Sequence, residues 1–362
     1  MATATATIDL NAIRHNWQKL RSMSSKDTGA VVKANAYGLG LKQVAKALYD
    51  EGARIFFVAT AEEGAELRSN LGNALEIYIF SGHMIGDTEL IKNYNLIPLI
   101  NSIEQLSRHS ELLKEKKFGV QLDTGMNRLG MEPMEWETVK GLTMSLNPVL
   151  IMSHLACADE PGHKMNITQL NTFRTLTNKI NIKKSLAATG GILLGPEYHF
   201  DLTRPGIGIY GCSPMQNCLP VLKIDIPVIQ IRDIKSGETV GYGNTWTSTS
   251  EKRIATISAG YADGIFRIAG QGTRLYFEEI GCPIVGRISM DLIGVDITRL
   301  NVEPDKLELI NSQQTVDKIA EDAGTIGYEF LTSLGLDTIA TIQVKPNDRL
   351  YCKYWKNVFE PV

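Results

Sequence analysis

A repeated alternation of short apolar runs and longer helical stretches constrains the fold of this chain most strongly. Up to about residue 212 the alternation occurs eight times. Each run is short and apolar, as is typical of parallel strands buried on both faces. The runs are Ala30–Ala34, Ile55–Thr60, Glu76–Phe80, Ile97–Ile100, Phe118–Asp123, Leu150–Leu155, Ser185–Thr189 and Gly206–Tyr210. Eight such units predict a (β/α)8 barrel of the TIM type with functional residues at the C-terminal strand ends, and a doubly wound open sheet is the alternative.

The pattern changes after Leu219 to alternating strands separated by tight turns. Val228–Arg232, Arg253–Ile257 and Pro283–Arg287 are typical of these strands. Glycine and proline punctuate the stretches between them, which indicates turns. The sequence therefore predicts a barrel over residues 1–222, followed by a mostly β C-terminal domain over residues 223–362.

Composition excludes several classes of partner. The formal net charge is −3, and because both signs are interspersed there is no basic stripe for nucleic acid and no polybasic segment for a membrane surface. The five cysteines are scattered and lack CxxC spacing, so neither a disulfide framework nor a zinc site is indicated. No apolar run has the length that spans a bilayer. These features predict a cytoplasmic protein with a small-molecule substrate.

The stretch Val31–Gly38 places one lysine at the end of an apolar run and a tyrosine four residues later. An ammonium group buried at a strand end is costly to desolvate, so its pKa falls and the neutral amine can attack an aldehyde. Lys33 is therefore a candidate to carry the imine of pyridoxal phosphate, with the Tyr37 hydroxyl contacting the phosphate. Taken alone, such a lysine is more often a surface residue that ends a strand. The remaining motifs favour the cofactor interpretation.

Seven motifs in order along the chain resemble those of alanine racemases, which are pyridoxal-phosphate enzymes of fold type III with a barrel and a C-terminal β domain. Each motif alone is weak evidence, but their order and spacing over nearly the whole chain make the resemblance specific. The motifs are Val32–Gly38, Leu122–Gly130, Ser153–Ala156, Arg204–Gly206, Val240–Gly243, Gly260–Gly264 and Val285–Asp291.

The resemblance implies racemisation by two bases, Lys33 and Tyr242. The family lysine that matches Lys33 holds the cofactor as a Schiff base and takes the α-proton from the D enantiomer. The tyrosine that matches Tyr242 takes it from the L enantiomer. Two bases are needed because inversion removes a proton from one face of the carbon and returns one to the other. In the family this tyrosine comes from the partner subunit, so we expect a homodimer with shared active sites.

The resemblance also implies the contacts of the cofactor. Arg204 is expected to face the pyridine nitrogen, and His154 to orient Arg204 by a hydrogen bond. On residue type alone, His154 fits a satisfied core histidine equally well. The phosphate is expected near the last two strands, where such barrels bind phosphate. Its implied partners are Tyr37, Thr189 and the backbone amides of Gly206 and Ile207.

Three residues are implied to bind the substrate, and three features depart from the family pattern. Arg128 is expected beside the substrate carboxylate, and Tyr261 and Met290 are expected to come from the partner subunit. Gln121 stands where the family commonly has a carbamylated lysine; it can accept a hydrogen bond from Arg128 but supplies no charge. Thr189 replaces the usual serine and keeps the hydroxyl. The segment 334–340 differs from the family's Arg-Val-Pro-like stretch, so no family contact is carried over from it.

These features predict an isomerase that interconverts L- and D-alanine. It would supply D-alanine as a peptidoglycan precursor or feed D-alanine catabolism. One alternative is a broad-specificity racemase that acts on serine or lysine. Another is a pyridoxal-phosphate carrier without committed catalysis, although such carriers typically lack the β domain and its tyrosine. A related decarboxylase fits the motifs around Arg204 and Tyr242 less well.

Overall fold

The chain divides into two units, which are described separately. The computed structural model describes residues 3–334 and the backbone of residues 339–343. One unit runs from Ile13 to Leu219, and the other combines the chain up to Ala12 with the chain from Pro220 onward. Residues 335–338 of the divergent segment and Cys352 lie outside the described residues.

The first unit is built on a parallel sheet whose strands follow the order of the chain. Seven strands pair successively from Ala30–Val31 to Lys184–Ser185. The strand Ile97–Ile100 is buried at every position, as expected of a strand covered on both faces. The strands are Ala30–Val31, Ile55–Val58, Glu76–Ile79, Ile97–Ile100, Gly119–Gln121, Leu150–Met152 and Lys184–Ser185.

An eighth strand, Leu202–Thr203, closes this sheet into a barrel. It pairs in parallel with Asp27–Thr28, and the Val31 amide donates to the Pro205 carbonyl at 2.9 Å. On its other side the Arg204 amide donates to the Ala187 carbonyl, also at 2.9 Å. The closure brings the last strand back to the first.

The prediction that Gly206–Tyr210 forms the eighth strand is wrong. Residues Ile207–Tyr210 form a buried 3₁₀ turn, and the strand comes before it. A short apolar run has the same composition whether it is a buried strand or a buried turn, so periodicity could not separate the two.

Helices cover the outside of the barrel between its strands. Helix Leu41–Asp50 buries Leu41, Val44, Ala45 and Leu48, the spacing of one helical face. Thr60 caps the N-terminus of helix Ala61–Leu71, because its hydroxyl accepts a hydrogen bond from the Glu63 amide. The longer helices are Leu10–Met23, Leu41–Asp50, Ala61–Leu71, Ile103–Leu112, Pro133–Ser145 and Lys164–Leu176, and the short ones are Lys33–Tyr37, Thr88–Asn93 and Thr189–Leu194.

The second unit is mostly antiparallel. Strand Leu222–Ile234 pairs with both Lys306–Ile310 and Lys252–Ile257, so six strands close into a ring. The strands are Thr5–Asp9, Leu222–Ile234, Thr239–Val240, Trp246–Thr247, Lys252–Ile257, Arg274–Phe277, Ile280–Val285, Ile293–Asp296, Lys306–Ile310 and Ile339–Gln343, with helices Val316–Asp322 and Gly327–Ser333. The predicted (β/α)8 barrel followed by a mostly β domain is confirmed.

The first residues of the chain belong to the second unit, which corrects the division predicted from sequence. That division, at residue 222, counts residues 1–12 with the barrel. Strand Thr5–Asp9 instead pairs antiparallel with Leu222–Ile234 and parallel with Ile339–Gln343. A single short strand carries no local signal that names its partner, because pairing joins residues that are far apart in sequence.

Within the described part of the chain, no helix combines the length and apolar content needed to cross a membrane. No disulfide joins the four cysteines that lie there, Cys157, Cys212, Cys218 and Cys282.

Candidate active site

Lys33 lies just beyond the first strand of the closed sheet, at its C-terminal end. The next four residues, Ala34–Tyr37, all have φ between 52° and 56°. Left-handed backbone costs a non-glycine residue about 1–2 kcal/mol, so the surroundings must hold this turn in place. Tyr37 is buried and stacks on Tyr210 with ring centroids 4.5 Å apart. The lysine therefore projects from a tightly held backbone.

The environment of Lys33 favours the neutral amine. Burial lowers the pKa of its ammonium group, the charge of Arg128 lowers it further, and the carboxylate of Glu63 opposes both effects. The Lys33 Nζ lies 5.7 Å from the centre of the Phe80 ring. A lowered pKa increases the fraction of unprotonated amine, which is the form that attacks a carbonyl.

Arg204 follows the last barrel strand and is 1% exposed. Its Nη1 donates to the Ser185 hydroxyl, and its Nη2 donates to the carbonyls of Ser153 at 2.8 Å and Leu186 at 3.4 Å. Burial lowers the pKa of the guanidinium to about 9, which leaves it charged at neutral pH. The Nε–H group of Arg204 has no acceptor among the described residues, so it can donate a hydrogen bond to a bound molecule.

His154 lies among cations but does not orient Arg204 as predicted. None of the Arg204 hydrogen bonds to described residues goes to the His154 ring. Burial, followed by the charges of Arg204, Arg128 and Lys33, lowers the pKa of His154 to about 3. The imidazole is therefore neutral at pH 7. Because the charges of Arg204, Arg128 and Lys33 all act on the His154 ring, these four residues lie around one region of the barrel.

Thr189 and the backbone of residues 206–208 lie together after the last two strands, and we call this group the cup. The Thr189 hydroxyl accepts hydrogen bonds from the amides of Gly206 at 3.1 Å and Gly208 at 3.2 Å. A hydroxyl has two acceptor sites and one proton, so only the proton remains for a ligand. A Cβ at Gly206 would lie 2.5 Å from the Tyr37 hydroxyl oxygen, so only glycine fits there.

The two predicted backbone donors of this cup differ. Because the Gly206 amide already donates to Thr189, it is not offered to a phosphate as the sequence predicted. The Ile207 amide is at the first position of the 3₁₀ turn and has no hydrogen bond to the described residues. Such N-terminal amides are ready donors to an anion.

Arg128 is exposed on the loop after strand Gly119–Gln121. The Asp123 carboxylate shapes this loop by accepting from the amides of Gly125 at 2.8 Å and Met126 at 3.0 Å. Gln121 is buried, and its amide nitrogen donates to the Leu129 carbonyl at 3.1 Å. The predicted acceptance of a hydrogen bond from Arg128 is not observed; Gln121 instead holds the backbone beside Arg128.

Tyr242, in the second unit, lies on a surface turn between two glycines. The flanking residues Gly241 and Gly243 have φ of +81° and +71°, a region that favours glycine. Tyr242 itself is 71% exposed. The turn therefore presents the tyrosine ring outward, unlike the packed strand tyrosine that the residue type alone suggests.

Tyr261 and Met290 lie on adjoining segments of the second unit. The Tyr261 amide donates to the Ser289 carbonyl at 3.0 Å, and the Ala262 amide donates to the Met290 carbonyl at 2.9 Å. A Cβ at Gly260 would lie 2.3 Å from the Met290 oxygen, so this approach requires glycine. The side chains of Tyr261 and Met290 are both exposed.

The structure also reveals residues that sequence reasoning missed. Gln169 is fully buried and bonds the loops after two strands: its nitrogen donates to the Thr124 hydroxyl and the His154 carbonyl, and its oxygen accepts from the Ala156 amide. Ser185 accepts from Arg204. A polar residue on the buried face of a helix, such as Gln169 on Lys164–Leu176, is the available sequence signal.

Comparison with known proteins agrees with this arrangement. Residues 8–214 match the family described as alanine racemase, N-terminal domain, and residues 221–340 match alanine racemase, C-terminal domain. An alanine racemase of Cereibacter sphaeroides is 56% identical over 337 residues, which cover 92% of this chain and 97% of that protein. An alanine racemase of Rhizobium meliloti is 41% identical over 361 residues, covering 92% of this chain and 95% of that protein.

Solved structures give the same result. The alanine racemase of Bartonella henselae with covalently bound pyridoxal phosphate matches with a TM-score of 0.91 and 38% identity, covering 95% of this chain and 100% of that one. The biosynthetic alanine racemase of Pseudomonas aeruginosa matches with a TM-score of 0.89 and 34% identity over the same shares. The fold and site define a class of two-unit proteins in which a (β/α)8 barrel with a strand-end lysine and a buried arginine precedes a closed antiparallel unit. Within that class, the chain belongs to the alanine racemase family.

Proposed function

We propose that this protein interconverts L-alanine and D-alanine, with pyridoxal phosphate held by Lys33. The observation that carries the proposal is the grouping of Lys33, with its lowered pKa, and the buried Arg204 in the barrel of an alanine racemase family member. Relatives named alanine racemase align over almost the whole chain. The Bartonella henselae relative contains covalently bound pyridoxal phosphate.

The described residues fit this cofactor. Lys33 offers an amine whose pKa is lowered. The Thr189 proton, the Ile207 amide and the Tyr37 hydroxyl are suited to a phosphate, while the Arg204 Nε hydrogen is suited to a ring nitrogen. The neutral His154 imidazole can pack against a flat ring without adding charge. When bound, pyridoxal phosphate supplies a conjugated ring that accepts the electrons left by removal of the α-proton.

Arg204 restrains the chemistry that the site performs. Its pKa of about 9 means that it keeps its proton at neutral pH. An arginine facing the ring nitrogen donates a hydrogen bond without transferring a proton, so the ring withdraws electrons only weakly. Weak withdrawal disfavours reactions that need a long-lived carbanion, such as transamination, and leaves reprotonation as the outcome.

Lys33 and Tyr242 of the partner subunit are the proposed bases. Lys33 Nζ takes the α-proton of D-alanine as the neutral amine and returns a proton as the ammonium to form D-alanine. The tyrosine oxygen takes the α-proton of L-alanine as the phenolate and returns a proton as the phenol to form L-alanine. Arg128, exposed on its loop, binds the substrate carboxylate. Tyr261 and Met290 of the partner subunit border the substrate. The exposure of Tyr242 supports a role at a surface that a second copy of the chain completes.

A homodimer with shared sites and a cytoplasmic location belong to the same proposal. The absence of a disulfide among the described cysteines is consistent with a reducing compartment. The product D-alanine would serve as a peptidoglycan precursor, or the reverse direction would feed D-alanine catabolism.

A chirality assay tests the proposal. Purified protein with pyridoxal phosphate is incubated with L-alanine, L-serine and L-lysine in turn, and the enantiomers are separated by chiral chromatography. We expect L-alanine to approach an equal mixture of enantiomers, and to do so much faster than the other two. Comparable rates for serine or lysine would indicate a broad-specificity racemase, and no racemisation of any substrate would indicate a carrier.

A further inference from the structure

The left-handed turn Ala34–Tyr37, which follows Lys33, is the lysine turn. Glu63 connects this turn to the end of the neighbouring strand. One carboxylate oxygen accepts from the Ala34 amide and the other from the Ala59 amide, both at 2.7 Å. Ala34 directly follows Lys33, and Ala59 directly follows strand Ile55–Val58. Both oxygens of the side chain therefore act as hydrogen-bond acceptors for the backbone.

The position of Glu63 in its helix holds this carboxylate in place. Glu63 lies in the first turn of helix Ala61–Leu71, and its amide donates to the Thr60 hydroxyl that caps the helix. A negative charge is stabilised at a helix N-terminus. The bridge is therefore anchored to a helix and to the end of a barrel strand.

The lysine turn needs such an anchor. Its four left-handed residues include two alanines and a tyrosine, which disfavour that conformation. Other contacts hold its far end: the Leu41 amide donates to the Asn35 side chain, and Tyr37 packs on Tyr210. Glu63 instead binds the amide of the peptide bond that joins Lys33 to Ala34. That peptide plane sets the direction in which the lysine side chain leaves the backbone.

We propose that Glu63 is a positioning residue for racemisation, whose carboxylate fixes the peptide plane after Lys33 and faces the lysine with a negative charge. The inference rests on the proposed function, since it concerns the same lysine. Two consequences follow. Losing the bridge misplaces the amine. Losing the charge removes a contribution that raises the pKa of Lys33 against the effects of burial and Arg128, so the nitrogen is harder to protonate.

Three variants separate these consequences. Glu63→Gln keeps the shape but removes the charge, and it points an N–H donor at one of the two amides. Glu63→Asp keeps the charge but is too short to reach both amides. Glu62→Gln is the matched control, because Glu62 is an exposed acidic residue in the same helical turn. The measurements are kcat and KM for L-alanine, the pH midpoint of the visible band of the lysine-bound cofactor, and the Tm.

We expect Glu63→Gln to lower kcat at least about tenfold with KM within about twofold, and to move the midpoint of the visible band to lower pH. Glu63→Asp should lower kcat but keep the wild-type midpoint, and it decides the question of positioning if Glu63→Gln does not fold. Glu62→Gln should match the wild type. Wild-type kcat in either Glu63 variant, or a lower Tm with unchanged kcat and midpoint, overturns the inference. A wild-type protein that does not racemise alanine contradicts the proposed function itself.

Discussion

Thr189 offers a direct test of the cup that we assign to the cofactor phosphate. The substitution Thr189→Val keeps the shape of the side chain but replaces the hydroxyl with a methyl group. The buried amides of Gly206 and Gly208 would then lose their acceptor. A buried donor without a partner costs about 1–3 kcal/mol, so two of them lower the free energy of unfolding by roughly 2–6 kcal/mol.

Thr189→Ser is the matched control. Serine keeps the hydroxyl and loses one buried methyl group, which costs about 1 kcal/mol. The order of stability should therefore be wild type, then Thr189→Ser, then Thr189→Val. For a domain of this size each kcal/mol lowers the Tm by roughly 2–4 °C, so the valine variant should melt at least about 4 °C below the wild type.

Urea unfolding and thermal melting measure the stability, and titration with pyridoxal phosphate measures the affinity. Thr189→Val should bind pyridoxal phosphate at least about tenfold more weakly than Thr189→Ser, a difference of roughly 1.4 kcal/mol. A valine variant as stable as the wild type, or more stable than the serine variant, would refute the role of the hydroxyl as acceptor. Equal cofactor affinity in the two variants would refute its role as a phosphate donor.

Three further predictions address the two bases, the residue Gln121 near Arg128, and the pH dependence of the free energy of unfolding. Lys33→Ala chains mixed with Tyr242→Phe chains should regain roughly a quarter of wild-type activity, because half of the two-fold dimers then carry one intact site; continued inactivity despite proven subunit exchange would place both bases in one chain. Gln121→Lys should make kcat or KM respond to bicarbonate through carbamylation of the buried amine, and no response together with no carbamate in a mass spectrum would contradict this. Burial, with His109 and Arg108, lowers the pKa of His83 from 6.5 to about 4, so the unfolded chain binds the proton first and the free energy of unfolding should fall as pH drops from 6.5 towards 4. His83→Gln should flatten this dependence in urea unfolding at pH 7 and pH 5, and an unchanged slope would count against it.

The sequence predicts the parts of the fold that local patterns specify. Parallel strands such as Ile97–Ile100 are apolar at every position because both faces are buried, so the barrel could be inferred from its repeats. The eighth strand could not, because a buried 3₁₀ turn at Ile207–Tyr210 is as apolar as a strand. The pairing of Thr5–Asp9 with distant strands also has no local signal.

In the candidate site, too, some features could be predicted from the sequence and others could not. The motifs placed Lys33, Arg128, His154 and Arg204 together, and their mutual effects on pKa agree with that grouping. Hydrogen-bond partners were less predictable, since they depend on side-chain orientation. Gln121 bonds the Leu129 carbonyl and Arg204 bonds Ser185, in place of the partners expected for each. Glu63 was missed because a glutamate in the first turn of a helix is common on any protein surface.

The covalent attachment of the cofactor to Lys33 is the central claim, and peptide mapping tests it most directly. Protein incubated with pyridoxal phosphate is reduced with borohydride, digested and analysed by mass spectrometry, with Lys33→Ala treated in parallel. We predict a pyridoxyl group on Lys33, and loss of both the visible band and alanine racemisation in Lys33→Ala. A pyridoxyl group on another lysine, or a reducible visible band that persists in Lys33→Ala, would contradict the account.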